Sequence, residues 1–407
     1  MTLSSIADYV TDKISSNDIS LHEYVTTDCI LQNKKGREIA TNLPPQPCSL
    51  TRYQRGDVLI ANIRPYLKKV WFANIDGGAS SDVLVFRAKE GHSPSFLYAI
   101  LLQDSFFDYV MQGAKGSKMP RGDKDQILRY EMPTLSCSEE SIGTFFLNIN
   151  SKIRLNEQIN QNLEVMAKQL YDYWFVQFDF PNEEGIPYKS SGGKMVWNEK
   201  LQKEVPEGWN VVYVNDIAEV FNGATPSTTD EQNYGGNIVW ITPKDLSDQK
   251  QKFIYQGERN ISQKGYDSCS THLLPPNTIL MSSRAPIGLL AIAKKELCTN
   301  QGFKSFVPTK ANISTYLYYY LKVHIKQIEQ LGTGTTFKEV SREDVLKFPI
   351  LKPHDSTLNL WEKTASALNE RQLEIQKENE SLTKQRDELL PLLMNGQVSV
   401  NSDLLHD

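Results

Sequence analysis

From residue 353 to 394, one side of the chain repeats at alternating steps of four and three: Trp361, Ala365, Leu368, Gln372, Ile375, Asn379, Leu382, Arg386, Leu389 and Leu393. This is the 3.5-residue period of a coiled-coil seam, so the pattern predicts one long helix. Gln372, Asn379 and Arg386 are polar at seam positions, where such residues fix register at some cost in stability. A second stripe, Ile149, Ile153, Asn156, Ile159, Leu163, Met166, Leu170 and Trp174, has similar spacing and predicts a helix over 147–175. Both stripes are narrow and long. Two such helices hide their apolar faces best against each other; the alternative is that each lies on its own globular domain.

Outside these helices the pattern changes. Residues 59–63 and 279–283 read as short strands running into Arg64 and Arg284, and 83–86 and 304–307 as further strands. Residues 96–112 and 316–330 carry helical spacing. Strands without regular helical crossovers predict α+β globular domains.

The pattern occurs twice. Ser5-Ile6-Ala7-Asp8-Tyr9-Val10 resembles Asp216-Ile217-Ala218-Glu219-Val220. The stretch 56–65 parallels 277–286 at an offset of 221 (277 minus 56), and matching Arg64 to Arg284 gives 220 (284 minus 64). The offset holds at Phe86 and Phe306, then at Leu97-Tyr98 and Leu317-Tyr318. Gly113-Ala114-Lys115-Gly116-Ser117 answers Gly332-Thr333-Gly334-Thr335-Thr336, and Gln126-Ile127-Leu128-Arg129 answers Asp344-Val345-Leu346-Lys347. The chain therefore reads as two copies of one unit, each a globular part followed by a helix. Between them, residues 181–204 are rich in Gly, Pro, Ser, Lys and Glu and read as an exposed linker.

A length of 407 residues allows two or three domains with their own cores. Hydrophobic content of 40% and charged content of 23% exclude a disordered or collagen-like chain. The apolar runs are far shorter than the ~20 residues of a membrane span, and the first residues, MTLSSIADYVTDK, show no secretory pattern. Five cysteines (Cys29, Cys48, Cys137, Cys269 and Cys298) include no C-x-x-C pair, which suits a reducing compartment. A cytoplasmic location without membrane association is expected. The net charge of -5 argues against non-specific coating of nucleic acid but leaves room for a local basic face.

Catalytic signatures are missing. There is no G-x-S-x-G, H-E-x-x-H or G-x-G-x-x-G after a strand. Gly192-Gly193-Lys194 is not a phosphate loop, because Tyr188 stands where the first Gly belongs and Met195 replaces Ser or Thr. Asp57 and Asp82 could form a carboxylate pair, but the second copy has Thr278 and Gly302 there. Positive charge is instead local. Arg52, Arg55, Arg64, Lys68 and Lys69 cluster in residues 51–69, and Lys115, Lys118, Arg121, Lys124 and Arg129 in 113–129. Gly-rich loops with Ser, Thr and Lys can approach a phosphate backbone, and Arg can read guanine O6 and N7.

These residues resemble a known family. Val205-Pro206-Glu207-Gly208-Trp209, Asn222-Gly223-Ala224-Thr225-Pro226-Ser227, Trp240-Ile241-Thr242-Pro243-Lys244-Asp245-Leu246, Ser283-Arg284-Ala285-Pro286-Ile287-Gly288 and Asn300-Gln301-Gly302-Phe303-Lys304 are similar to a target recognition domain of the DNA-specificity subunits of type I restriction-modification systems. Leu170-Tyr171-Asp172-Tyr173-Trp174-Phe175-Val176 with Ser191-Gly192-Gly193-Lys194-Met195-Val196-Trp197 resembles that family's central helix end and linker. The first copy lacks the Pro-Glu-Gly-Trp opening and the Gly-x-Thr-Pro-Ser block.

The resemblance implies an α+β protein in which two target recognition domains, in a pseudo-twofold repeat, are separated by two long antiparallel coiled-coil helices. The expected boundaries are a first recognition domain at 1–146, a spacer helix at 147–180, the linker at 181–204, a second recognition domain at 205–352 and a second spacer helix at 353–395. It also implies a non-catalytic chain that binds double-stranded DNA at a split target. Two methyltransferase subunits and restriction motor subunits would be its partners. S-adenosylmethionine, ATP and Mg would be bound by those partners, and no cofactor by this chain. A coiled-coil scaffold, or the specificity subunit of a type II-like modification system, is the alternative. The residues expected at DNA are Arg64, Lys68, Lys69, Lys115, Lys118 and Arg121 in the first copy, and Arg284, Lys304, Thr333, Thr335 and Lys338 in the second. A helix of about 29 residues is ~44 Å long, against ~34–36 Å for one DNA turn, so unread base pairs are expected between the half-sites.

Overall fold

Val58, Ile60, Leu84 and Phe86 pack into one core, whereas Leu59, Val83 and Val85 pack into another. Adjacent residues of these strands serve opposite faces, as the two-residue period of a strand requires, and the runs are apolar throughout because both faces are covered. The computed structural model describes residues 1–132, 138–284, 286–334 and 338–399. Its contacts divide the chain into two compact units: Met1–Asn160 with the chain from Ile375 onward, and Gln161–Glu374.

The first unit has an antiparallel four-stranded sheet in the order Ala7–Tyr9, Val83–Ala88, Val58–Ala61, Val70–Phe72. The helices Pro94–Leu101 and Asp104–Gln112 contribute to its main core, together with Leu3 and Ile6. A smaller sheet, Lys13–Ser15, Ser49–Tyr53, Gly77–Ala79 and Tyr24–Val25, completes the unit.

The second unit repeats the main sheet with one strand added: Ala218–Asn222, Phe303–Pro308, Ile279–Ser283, Ile287–Ala293, Phe253–Ile254. Val58 pairs with Phe86 in the first sheet as Ile279 pairs with Phe306 in the second. The helix Ser314–Val323, with Tyr316, Leu317, Tyr319 and Leu321 buried, supplies much of the core beneath it.

Two long helices each contribute residues to both units. The first is Glu139–Tyr171, 33 residues, continued by a wider turn at Asp172–Val176. It begins eight residues before the expected 147. Ser138 Oγ accepts from Ser141 N at 3.1 Å, Glu139 and Glu140 fill the first turn, and Ile142 and Phe146 extend the apolar face into the first unit's core. The second helix is Asp355–Met394, 40 residues.

Within the first unit, Asn156 Nδ2 donates to Asn379 Oδ1 at 2.9 Å and Arg386 Nη1 to Asn150 Oδ1 at 3.0 Å. Within the second, Gln372 Nε2 donates to Glu164 Oε2 at 3.3 Å. Tyr171 also packs on Trp361 in the second unit, with ring centroids 5.8 Å apart, so in each unit rising numbers on one helix meet falling numbers on the other and the pairing is antiparallel. The polar seam residues Gln372, Asn379 and Arg386 all find partners on the facing helix.

Two boundaries shift. Leu390, Leu393 and Met394 belong to the first unit's core, so the end of the last helix is part of that unit. The segment 181–204 is more ordered than a linker. Met195–Asn198 pairs with Lys203–Pro206 as a hairpin, and Phe180 stacks on Tyr188 at 4.7 Å and Trp209 at 4.9 Å. Its polar composition hid the alternating Met195-Val196-Trp197 and the turn at Asn198, whose Oδ1 accepts from Lys200 N and Leu201 N. Among the described residues no helix is long and apolar enough to cross a membrane.

Candidate nucleic-acid interface

In each unit a Gly-containing hairpin folds back onto the end of a central strand. In the first, Lys115 and Arg121 exchange two backbone hydrogen bonds of 2.9 Å, Ile63 bridges to Arg121, and Gly122 N donates to Asn62 O at 3.3 Å. In the second, Thr333 and Glu339 exchange bonds of 3.1 and 2.9 Å, Arg284 bridges to Glu339, and Val340 N donates to Ser283 O at 3.0 Å. A capped helix follows both hairpins. Asp123 caps Lys124–Leu128, and Ser341 caps Arg342–Leu346. Gly116 and Gly334, each the residue after the first bridged position, stand at φ of 99° and 123°, a region that disfavours side chains.

This pairing corrects the internal alignment by one residue. Ile63, not Arg64, is the counterpart of Arg284, since both bridge the same hairpin position. Arg64 is exposed, in the left-handed region at φ 54°, and donates its backbone N–H to Pro120 O at 2.8 Å.

The structure sorts the expected cations of the first unit into free and committed ones. Lys118 is exposed, with no side-chain partner among the described residues. Lys115 is highly exposed but lies 3.0 Å from Asp123, whose carboxyl is held below its ordinary value by the Gln126 N–H and by Lys115. Arg121 Nη2 is 3.1 Å from Asp82 Oδ1. Lys68 shares Asp104 with buried Lys34, each at 2.8 Å. Burial raises the Asp104 carboxyl, but the two lysines together bring it below its usual range. Lys69 Nζ donates to Thr27 O at 2.6 Å, and burial lowers its pKa. Lys68 and Lys69 are therefore tied down inside the unit. Asp57 is likewise committed, accepting two 2.8 Å bonds from Arg87.

In the second unit, Lys338 and Thr333 are exposed and Arg284 is half-buried. Thr335 lies outside the described residues. Lys304 is 5% exposed, so it is not a surface cation. It projects from the strand Phe303–Pro308, and its ammonium is 3.3 Å from Glu339 Oε1 and 3.4 Å from Ser283 Oγ. An open cleft of about 510 Å³ surrounds that pair, lined by Asn222, Gly223, Gln301, Lys304, Thr333, Glu339, Ser341, Arg342 and Glu343. Gly223 brings backbone to backbone here, for a Cβ would stand 2.2 Å from the carbonyl oxygens of Thr299 and Asn300. Asn222, Gln301, Glu339 and Arg342 also line this cleft and are not among the residues expected at DNA. The motifs around Asn222 and Gln301 were visible in the sequence, but a search for positive charge passes over Asn, Gln and Glu.

Known proteins are similar to this chain. Residues 206–382 match the family model described as the type I restriction modification DNA specificity domain. The type I restriction enzyme MjaIX specificity subunit of Methanocaldococcus jannaschii is 42% identical over 152 residues, 37% of this chain and 35% of that protein. This chain thus spans about a third of that relative. The type I restriction enzyme HindI specificity subunit of Haemophilus influenzae is 25% identical over 92% of this chain and 94% of its own length. The crystal structure of the S subunit of a type I restriction-modification system from M. genitalium shares the fold, with a TM-score of 0.58, 14% identity, and coverage of 97% of this chain and 95% of that one. Residues 206–382 thus match a type I restriction modification DNA specificity domain, and nearly the whole chain is similar to a type I restriction enzyme specificity subunit.

Proposed function

We propose that this chain is the non-catalytic, sequence-reading subunit of its restriction-modification system. Each globular part reads one half of a bipartite duplex target through the hairpin that folds onto the central strand. The observation that carries this reading is the duplicated hairpin, with Arg64 and Lys118 exposed beside it in one copy and Thr333 and Lys338 in the other. Exposed Lys and Arg gain affinity by displacing counterions from phosphates, and base-edge contacts add selectivity. The paired long helices would set the gap between half-sites and dock two methyltransferase subunits. Those subunits would bind S-adenosylmethionine, and restriction motor subunits would bring ATP and Mg.

Methylome sequencing of cells with and without this chain tests the reading. A split motif methylated only in its presence is the expected result; an unchanged methylome overturns it. Binding titrations across salt add detail. Lys118→Ala should weaken binding evenly across sequences and reduce the salt slope by ~1. Arg64→Ala and Arg284→Ala should each relax one position, and wild-type behaviour in both would remove them from the interface.

A further inference from the structure

Arg121 and Glu339 occupy the same place in the two copies. Each closes its hairpin with a pair of backbone hydrogen bonds, to Lys115 or Thr333. Each bridges the end of the equivalent central strand, at Ile63 or Arg284. Each stands two residues before the cap of the helix that follows, Asp123 or Ser341. Equivalent backbones therefore present side chains of opposite charge.

Their surroundings are reversed as well. Arg121 meets an anion at the entry to the neighbouring strand, Asp82, one residue before Val83–Ala88. Glu339 meets a cation on the equivalent strand, Lys304, the second residue of Phe303–Pro308. Both side chains keep solvent contact, 59% for Arg121 and 43% for Glu339. Each also keeps unused capacity among the described residues. Arg121 has only Nη2 engaged, and Glu339 has only Oε1.

An exposed carboxylate facing a phosphate-rich ligand is repelled unless its charge is offset and its oxygens accept specific hydrogen bonds. Lys304 supplies the offset from a buried position, so it adds little positive surface of its own. The remaining oxygen can only accept. On the base edges of the major groove, the donors are the N4 amino group of cytosine and the N6 amino group of adenine. The free face of the Arg121 guanidinium can only donate, which suits guanine O6 and N7.

We infer that Arg121 and Glu339 are specificity-determining residues of opposite polarity: at the corresponding position of the two half-sites, Arg121 selects guanine and Glu339 selects an amino-bearing base, cytosine or adenine. Lys304 is a positioning residue that orients and neutralises Glu339. The inference rests on the proposal that duplex DNA lies against these hairpins.

The test is selection of bound duplexes from a randomised library by the purified full-length chain, comparing wild type with Glu339→Gln, Arg121→Gln and Lys304→Met. Glu339→Gln gains a donor amide at unchanged size. It should lose its discrimination at one position of one half-site, by roughly ten-fold, and leave the other half-site intact. Arg121→Gln should do the same in the other half-site. Lys304→Met should blur the position that Glu339→Gln blurs and no other. A wild-type motif carried unchanged by both Gln variants overturns the inference while leaving bipartite recognition standing. So does loss of a whole half-site with a lowered melting temperature, which makes Glu339 a folding residue. A wild-type chain that selects no split motif instead removes the DNA-reading proposal itself.

Discussion

Lys252 Nζ lies 3.3 Å from the Glu164 carboxylate, in a site where the lysine side chain is 5% exposed. The ammonium also donates to Tyr319 Oη and Asn369 Oδ1, both at 2.7 Å, and to Gln372 Oε1 at 3.2 Å. Glu164 accepts from Tyr319 at 3.0 Å and pairs with Lys322. One buried cluster thus ties the globular part of the second unit to both of its helix segments.

Glu164→Gln leaves a buried ammonium without its counter-charge and should cost about 3–5 kcal/mol at neutral pH. Burial pushes the Glu164 carboxyl up, but Lys252, Lys322 and the hydrogen bonds of Lys322 and Tyr319 pull it below its ordinary 4.5. Its contribution is therefore complete above that value and is lost as pH falls through the lower folded value. Burial pulls Lys252 from 10.5 down to about 8, against the pull of Glu164. Between those values the unfolded chain holds a proton that the folded chain lacks, so this group's contribution to stability rises with pH across that window. Urea unfolding from pH 4 to 10 checks both limbs. Equal stability of Glu164→Gln and wild type at pH 7 would remove the cluster from the stability argument.

Asn156 is 1% exposed and bonds Asn379 and Glu378 across the helix pair. Replacing Asn156 alone with Leu strands its polar partners and should cost about 1–3 kcal/mol. Replacing Asn156 and Asn379 together should cost less than the sum of the two single changes, because the double variant leaves fewer unmet donors and acceptors. Additive losses in a double-mutant cycle would show that the two amides are energetically independent.

Gly223→Ala places a methyl group 2.2 Å from two backbone carbonyls. The Thr299 carbonyl cannot retreat freely, since it already accepts from Ala224 N at 3.0 Å. Overpacking of this kind costs about 1–3 kcal/mol, so the melting temperature should fall by on the order of 5 °C. An unchanged melting curve would mean that the strand end yields.

The helix register shows where a spacer insertion must go. Asn156–Asn379 marks one level of the helix pairing in the first unit, and Glu164–Gln372 one level in the second. Four residues added after Asn160 and after Glu374 fall between those levels on both helices and leave both pairs in place. The addition lengthens each helix by ~6 Å, close to two base pairs at ~3.4 Å. Four residues make just over one turn, so the seams shift only slightly. Methylome motifs should keep both half-sites and gain a longer gap. An unchanged gap with both half-sites read would show that the helices are not the ruler.

The periodic features were legible before folding. A seam at 3.5 residues is a local property, and Trp361, Ala365, Gln372, Ile375 and Arg386 all end up buried. The repeat was visible too, because equivalent strands bury the same apolar spacing. Which charged side chains remain free was decided by contacts far apart in the chain. Lys68 is committed by Asp104, 36 residues on (104 minus 68), and Lys304 by Glu339, 35 residues on (339 minus 304). No count of nearby charges reveals such partners. The counterpart of Arg284 follows from strand register and not from matching arginine to arginine. A one-residue shift leaves apolar similarity almost unchanged but moves the cross-strand pairing, and the bridges at Ile63–Arg121 and Arg284–Glu339 fix it.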